Sequence, residues 1–134
     1  MNESQFKNRA SEAEGNFNEG AGKAGGCLLS ADTITGDEVC NLQDEELGTI
    51  QDLMLDVTEG NIRYAVLASG GFLGMGDRLF AVPWKALQLD TENKRFLLDV
   101  DVERLKDAPG FDKDHWPNMA DPKWNSTVES YYAR

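Results

Sequence analysis

Short apolar runs separated by turn residues make up the sequence from Asp37 onward, and they limit the folds open to this chain. The runs begin about 8 to 12 residues apart, which is the spacing of an all-β barrel or sandwich. A chain of 134 residues is long enough for one domain with a core. We therefore predict an all-β fold, a small barrel of five or six strands. The predicted strands are Asp37–Leu42, Thr49–Val57, Ile62–Ala68, Arg78–Val82, a strand that starts at Leu89, and Arg95–Val100.

The residues between these runs predict how the strands connect. Thr58–Asn61 and Thr91–Lys94 are typical of hairpin turns, with Gly60 or Asn61 able to take a positive φ. The apolar spacing of the second run breaks once between Ile50 and Leu53, which a β-bulge would explain. The third run is apolar on both faces, as in a central strand.

The stretch Gly70–Trp84 joins two apolar runs through a glycine-rich loop. Four glycines within seven residues allow backbone angles that other residues avoid. Phe72, Leu73 and Met75 give the loop apolar side chains, so we expect it to form either an interaction surface or a lid over one end of the barrel. Pro83 has no N–H to donate to a ladder and should end the fourth strand.

Two short helices are predicted after the last strand. Asp101 can cap a helix over Val102–Asp107. In the tail, Asp121 is a candidate N-cap, and Pro122 suits the first helical position. This second helix carries aromatic residues along one side, which would bury on the barrel or on a second subunit. The candidate interaction residues of the tail are Trp124, Tyr131 and Tyr132.

The sequence thus divides into a glycine-rich, flexible arm over residues 1–31, a barrel over 32–111 and an extension over 112–134.

The net charge is −11, with no cluster of Lys and Arg, so direct binding of nucleic acid is disfavoured. Cys27 and Cys40 lack the close spacing of metal or redox sites. No apolar run reaches the roughly 18 residues that would span a bilayer. We expect a cytoplasmic protein without membrane insertion.

No set of residues indicates catalysis, a metal or a cofactor. The glycine-rich loop lacks both nucleotide-binding motifs and a nearby Lys. The single histidine, His115, follows two acidic residues, Asp112 and Asp114, but a zinc site would need further ligands at suitable spacing. The carboxylate pairs Asp52 with Asp56 and Asp99 with Asp101 fall at strand ends, where solvated charge is the usual occupant. We predict that the chain is not an enzyme and holds neither a cofactor nor a metal.

The ordered part of the sequence resembles the PRC-barrel family. The resemblance lies in Gly36–Val39, Glu46–Ile50 and Leu55–Val57, in the loop GGFLGMG, in Ala81–Trp84 and in Leu105–Pro109, and the tail resembles the extension of free-standing bacterial members. It implies a small β-barrel and no catalysis. Members of the family bind protein partners, sometimes beside RNA or a membrane complex, or occur as stress-associated cytoplasmic proteins.

Three functions follow as hypotheses. The first is a non-enzymatic interaction or scaffold module with an unknown protein partner, forming a homodimer or higher oligomer through its loop or tail. The second is a small-ligand-binding barrel, which five or six strands make difficult because their interior should be filled by side chains. The third is an accessory factor in ribosome or RNA processing that works through protein contacts.

Overall fold

The computed structural model describes residues 27–69 and 78–133. The loop residues Phe72, Leu73 and Met75 lie outside these ranges. The described chain begins with a short helix, α1 (Ala31–Ile34), which the sequence pattern did not predict. Ser30 caps it by accepting a hydrogen bond from the backbone N–H of Thr33 at 3.0 Å.

Seven strands follow in the described residues and form one mixed sheet. All six predicted runs form strands, and the all-β class is confirmed. The predicted count of five or six is too low, because a two-residue strand pairs with β4 after the second helix. The strands are β1 (Glu38–Cys40), β2 (Glu46–Asp56), β3 (Asn61–Ala68), β4 (Leu79–Pro83), β5 (Leu87–Asp90), β6 (Arg95–Leu98) and β7 (Gly110–Phe111).

The order of strands across the sheet is β5-β6-β1-β2-β3-β4-β7. Neighbouring pairs are antiparallel except β1 and β6, which run parallel. The strand that is apolar on both faces, β3, lies between two neighbours as predicted. Gly60 in the β2–β3 turn has a φ of 76°, and the register of β2 shifts between Ile50 and Asp52. Both the hairpin and the bulge are therefore confirmed.

The sheet is strongly coiled. β5 lies at one edge and β4 is next to the other, yet only the 3₁₀ turn Trp84–Ala86 connects them. Such a connection reaches at most roughly 14 Å, so the two ends of the sheet must approach each other. The Trp84 ring contacts Phe96 of β6, with 5.7 Å between ring centroids. No ladder joins the two edge strands in the described residues, and the sheet is open.

Two further helices pack on the sheet, α2 (Val102–Lys106) and α3 (Pro122–Tyr132). Asp101 caps α2 and Asp121 caps α3, each accepting a backbone hydrogen bond, and both predicted caps are confirmed. Strands and helices share one apolar core, whose fully buried members include Leu47, Tyr64, Leu67, Phe80, Leu105 and Val128.

Candidate interaction surface

The aromatic residues of α3 pack on the sheet of their own chain. Trp124 meets the ring of Tyr64 edge-on, with 5.2 Å between centroids. Tyr132 is 6% exposed and belongs to the core, whereas Trp124 and Tyr131 are half-buried and pack against it. The sequence left open whether this side of the helix covers the barrel or a second subunit, and the structure places it on the barrel.

Polar contacts fasten α3 at both ends. Near its start, the Tyr64 hydroxyl donates to the Asn125 side-chain oxygen and lies 3.2 Å from a Glu129 carboxylate oxygen. Burial, and then the charge of Glu129, raise the pKa of Tyr64 to about 12, so the hydroxyl keeps its proton. Near the end of the helix, Arg104 of α2 donates to the Tyr131 carbonyl, and the Tyr131 hydroxyl donates to the Arg104 carbonyl at 2.5 Å. These contacts use polar groups that a partner could otherwise have bound.

A different apolar surface lies where the β2–β3 hairpin projects beside the start of α3. Leu55 is 58% exposed and Val57 is 86% exposed. Together with Met54 and Met119 they line a groove of about 440 Å³ whose floor includes Tyr64. Large exposed apolar side chains that lie together are typical of binding surfaces. We call this surface, formed by Met54, Leu55, Val57 and Met119, the hairpin groove.

Within residues 27–69 and 78–133, nothing pairs with the outer edge of β2 along the same segment. β1 pairs with β2 as far as Thr49, and Ile50 then bonds to the backbone of Gly36 and Asp37 at 2.7 and 2.9 Å. Beyond that point β2 pairs only with β3, and no described residue forms a ladder with its other edge over 51–56. An edge of this kind offers backbone groups to an added strand.

A larger groove of about 810 Å³ adjoins the first and shares Asp56 and Arg63 with it. Its charged side chains are largely paired with one another. Arg63 lies 3.3 Å from Glu129 and 4.0 Å from Asp56. Because Arg63 already has two carboxylate partners, the guanidinium is poorly placed to recruit an anionic ligand.

Carboxylates outnumber cations on the two segments that border both grooves. The segments are residues 51–68 of the β2–β3 hairpin and residues 119–129, which include most of α3. Arg63 and Lys123 are the cations of these segments, and Lys85 also lines the larger groove, so carboxylates still outnumber cations around both grooves. The carboxylates are Asp52, Asp56, Glu59, Asp121 and Glu129.

Chemically reactive groups in the described residues are dispersed. His115 forms an exposed contact with Asp112 at 3.6 Å, and Cys27 and Cys40 are free thiols. Within 27–69 and 78–133, no three His, Cys, Asp or Glu side chains come close enough together to hold a metal ion. No helix in these ranges is both long and apolar enough to cross a bilayer.

Three of the four carboxylates considered from the sequence accept backbone hydrogen bonds. One Asp52 oxygen accepts from the Leu53 N–H at 2.8 Å, and one Asp56 oxygen accepts from the N–H groups of Thr58 and Glu59. Asp101 is the N-cap of α2.

Sequence reasoning missed the residues of the hairpin groove. The sequence pattern places Leu55 and Val57 in a bulged strand, Thr49–Val57, and does not assign them to an interaction surface. The register of β2 shifts a second time between Met54 and Leu55, and a bulge changes which side chains point inward. The signal that could have revealed the surface is the run of apolar residues reaching the turn at Thr58, where a hairpin tip leaves the core.

The comparison with protein-family models agrees with the fold. The sequence model of a family described as PRC-barrel domain matches residues 28–105. A search of the curated proteins finds no match. A similar solved structure is that of RimM from Pseudomonas aeruginosa, described as a 16S ribosomal RNA processing protein, with 19% identity and a TM-score of 0.40. The similarity covers 56% of this chain and 45% of that one, so the chain spans less than half the length of that relative.

Proposed function

The chain belongs to the PRC-barrel domain family, and from this premise we propose that it is a non-enzymatic interaction module that binds a protein partner through the hairpin groove. The observation that carries the proposal is the exposure of Leu55 and Val57 beside an uncovered strand edge. A partner that covered these side chains would remove apolar area from water at about 25 cal/mol for each Å². We place this activity in the cytoplasm.

The interior of the sheet favours binding at the surface over a ligand held inside. Phe80 and Leu67 are fully buried in a core that all the larger strands share. A barrel that carries a small ligand needs about eight strands to leave room for it. The seven strands of the described residues surround side chains instead, which supports the interaction module over the ligand-binding alternative.

The proposal is tested by affinity capture with matched variants. The tagged chain is incubated with an extract of the source organism, and retained proteins are quantified by mass spectrometry. Val57→Asp should abolish retention of the partner, because a carboxylate replaces an exposed apolar contact. Leu42→Asp is the control, since Leu42 is 53% exposed but lies outside the hairpin groove. If both variants retain the same proteins as the unmodified chain, the proposal is wrong.

A further inference from the structure

We propose that the outer edge of β2 over residues 51–56, with the hairpin groove beside it, binds an extended partner segment that has an apolar anchor and flanking Lys or Arg residues. This inference rests on the proposed function and adds the conformation and chemistry of the partner. Three independent features of the described residues support it: the backbone of β2, the side chains of the groove and the charge around them.

The backbone requires an extended partner. A strand edge presents N–H and C=O groups at alternating positions, and only another extended backbone can meet them in series. The covered part of β2 ends at Ile50, whose two backbone bonds go to Gly36 and Asp37. The uncovered part over 51–56 is as long as a typical strand. Its Leu53 N–H already donates to the Asp52 carboxylate at 2.8 Å, so an added strand would bond to the other backbone groups of this edge.

The side chains require an apolar anchor. Met54 and Leu55 lie on the uncovered part of β2 and also line the groove, so a strand added to the edge would pass beside it. Met119 completes the groove from the loop before α3. Methionine side chains adapt to the shape of different partners. A volume of about 440 Å³ accommodates one or two aliphatic or aromatic side chains.

The charge around the hairpin groove determines which kind of partner can bind there. The bordering segments carry five carboxylates against two cations, and Arg63 is already paired with two of the carboxylates. A second copy of the chain would bring another net charge of −11 to the same surface, and nucleic acid would bring its phosphates. Both are repelled, whereas Lys and Arg residues are attracted. The surface therefore favours a basic segment of another protein.

Three synthetic peptides test the inference by fluorescence anisotropy and by NMR of the labelled full chain. The first alternates Lys and Val, the second replaces each Lys by Glu, and the third repeats the first with N-methylated valines. We expect the first to bind and to shift the amide signals of residues 51–56. The second should bind at least about tenfold more weakly because of its charge, and so should the third because it lacks the ladder donors.

Variants of the chain separate this surface from general attraction to basic peptides. Leu55→Ser should weaken binding of the Lys-Val peptide by about tenfold or more, because it removes an apolar contact from the groove without adding charge. Leu42→Ser makes the same change elsewhere and should leave the affinity within about twofold. Circular dichroism of both variants checks that each is folded.

Each contrary result is specific. The inference is wrong if all three peptides bind equally or if the peptide shifts only the signals of other residues. It is also wrong if the signals of residues 51–56 move with protein concentration alone, because that would indicate binding of a second copy of the chain. If Val57→Asp loses a protein partner in the capture experiment while the Lys-Val peptide does not bind, the inference is wrong and the proposed function stands. If the capture experiment also fails, both are wrong.

Discussion

Two apolar surfaces meet at the β2–β3 hairpin, and they are used in opposite ways. The aromatic side of α3 is covered by its own sheet, with Val128 fully buried and Tyr132 6% exposed. The hairpin groove beside the start of that helix leaves Val57 86% exposed. The aromatic residues are larger, yet the aliphatic ones remain available to a partner. Size and hydrophobicity of a side chain therefore do not identify an interface unless the fold leaves that side chain uncovered.

The strongest test of this comparison removes the residue that connects the two surfaces. Tyr64 is 1% exposed, packs against Trp124 and forms the floor of the hairpin groove. Tyr64→Ala should lower the free energy of unfolding by about 3 to 5 kcal/mol, as large-to-small core substitutions do. Urea unfolding followed by tryptophan fluorescence measures it.

Tyr64→Phe separates packing from hydrogen bonding at the same position. It keeps the ring but leaves the Asn125 side-chain oxygen without its donor. We expect a loss of about 1 to 2 kcal/mol. If Tyr64→Ala and Tyr64→Phe lose the same amount, the hydroxyl rather than the ring holds α3 in place, and the comparison must be restated in terms of polar contacts.

A second large effect is expected at Asp37, whose backbone carbonyl accepts from the Ile50 N–H where the covered part of β2 ends. Asp37 is 8% exposed, one of its carboxylate oxygens has no hydrogen-bond partner, and burial raises its pKa to about 7 from an ordinary value of 3.8. The folded state then holds a proton that the unfolded chain releases between these values. The contribution of Asp37 to stability should be greatest below about pH 4 and fall as the pH rises to about 7, by up to about 4 kcal/mol in total.

Asp37→Asn isolates this contribution from those of the other carboxylates. The variant cannot ionise, so the difference between its free energy of unfolding and that of the unmodified chain should grow from pH 4 to pH 7 and then stay constant. Urea unfolding across this range measures the difference. Parallel curves for the two proteins would show that Asp37 ionises freely in the folded state.

The covered surface could be predicted from the sequence only in part. The caps Asp101 and Asp121 and the turn at Gly60 are local, because each depends on residues within a few positions. The aromatic residues along one side of α3 can also be recognised from the local sequence, and they indicate that this side of the helix is buried. What covers that face depends on residues distant in sequence, such as Tyr64, and the pattern of the helix alone does not contain them.

The uncovered surface could not be predicted for a related reason. A strand pattern assumes regular alternation, but the two register shifts of β2 change which side chains face the core. The parallel pairing of β1 with β6 and the short strand β7 are also non-local.

A smaller effect is expected at the ion pairs that join the hairpin to α3. Arg63 lies between Asp56 and Glu129 and is partly exposed to solvent. Arg63→Gln should cost only about 0.2 to 1 kcal/mol, because exposed pairs gain little in water. The loss should shrink in high salt, where charges are screened. Lys85→Gln is the matched control. Lys85 lines the larger groove together with Arg63, and no described residue forms an ion pair with it. Urea unfolding that gives equal losses for the two variants would contradict the structural role of Arg63.

The smallest effect on stability is expected at Val57. This prediction tests most directly the difference between the covered side of α3 and the hairpin groove. Its side chain is 86% exposed, so Val57→Ser should change the free energy of unfolding by no more than about 0.5 kcal/mol. The same substitution at Val128, which is fully buried, should cost several times more, because a hydroxyl would replace packed methyl groups. Urea unfolding of both variants measures the contrast. A large loss at Val57 would mean that the chain itself covers this residue, and the hairpin groove would then be part of the fold rather than a surface for a partner.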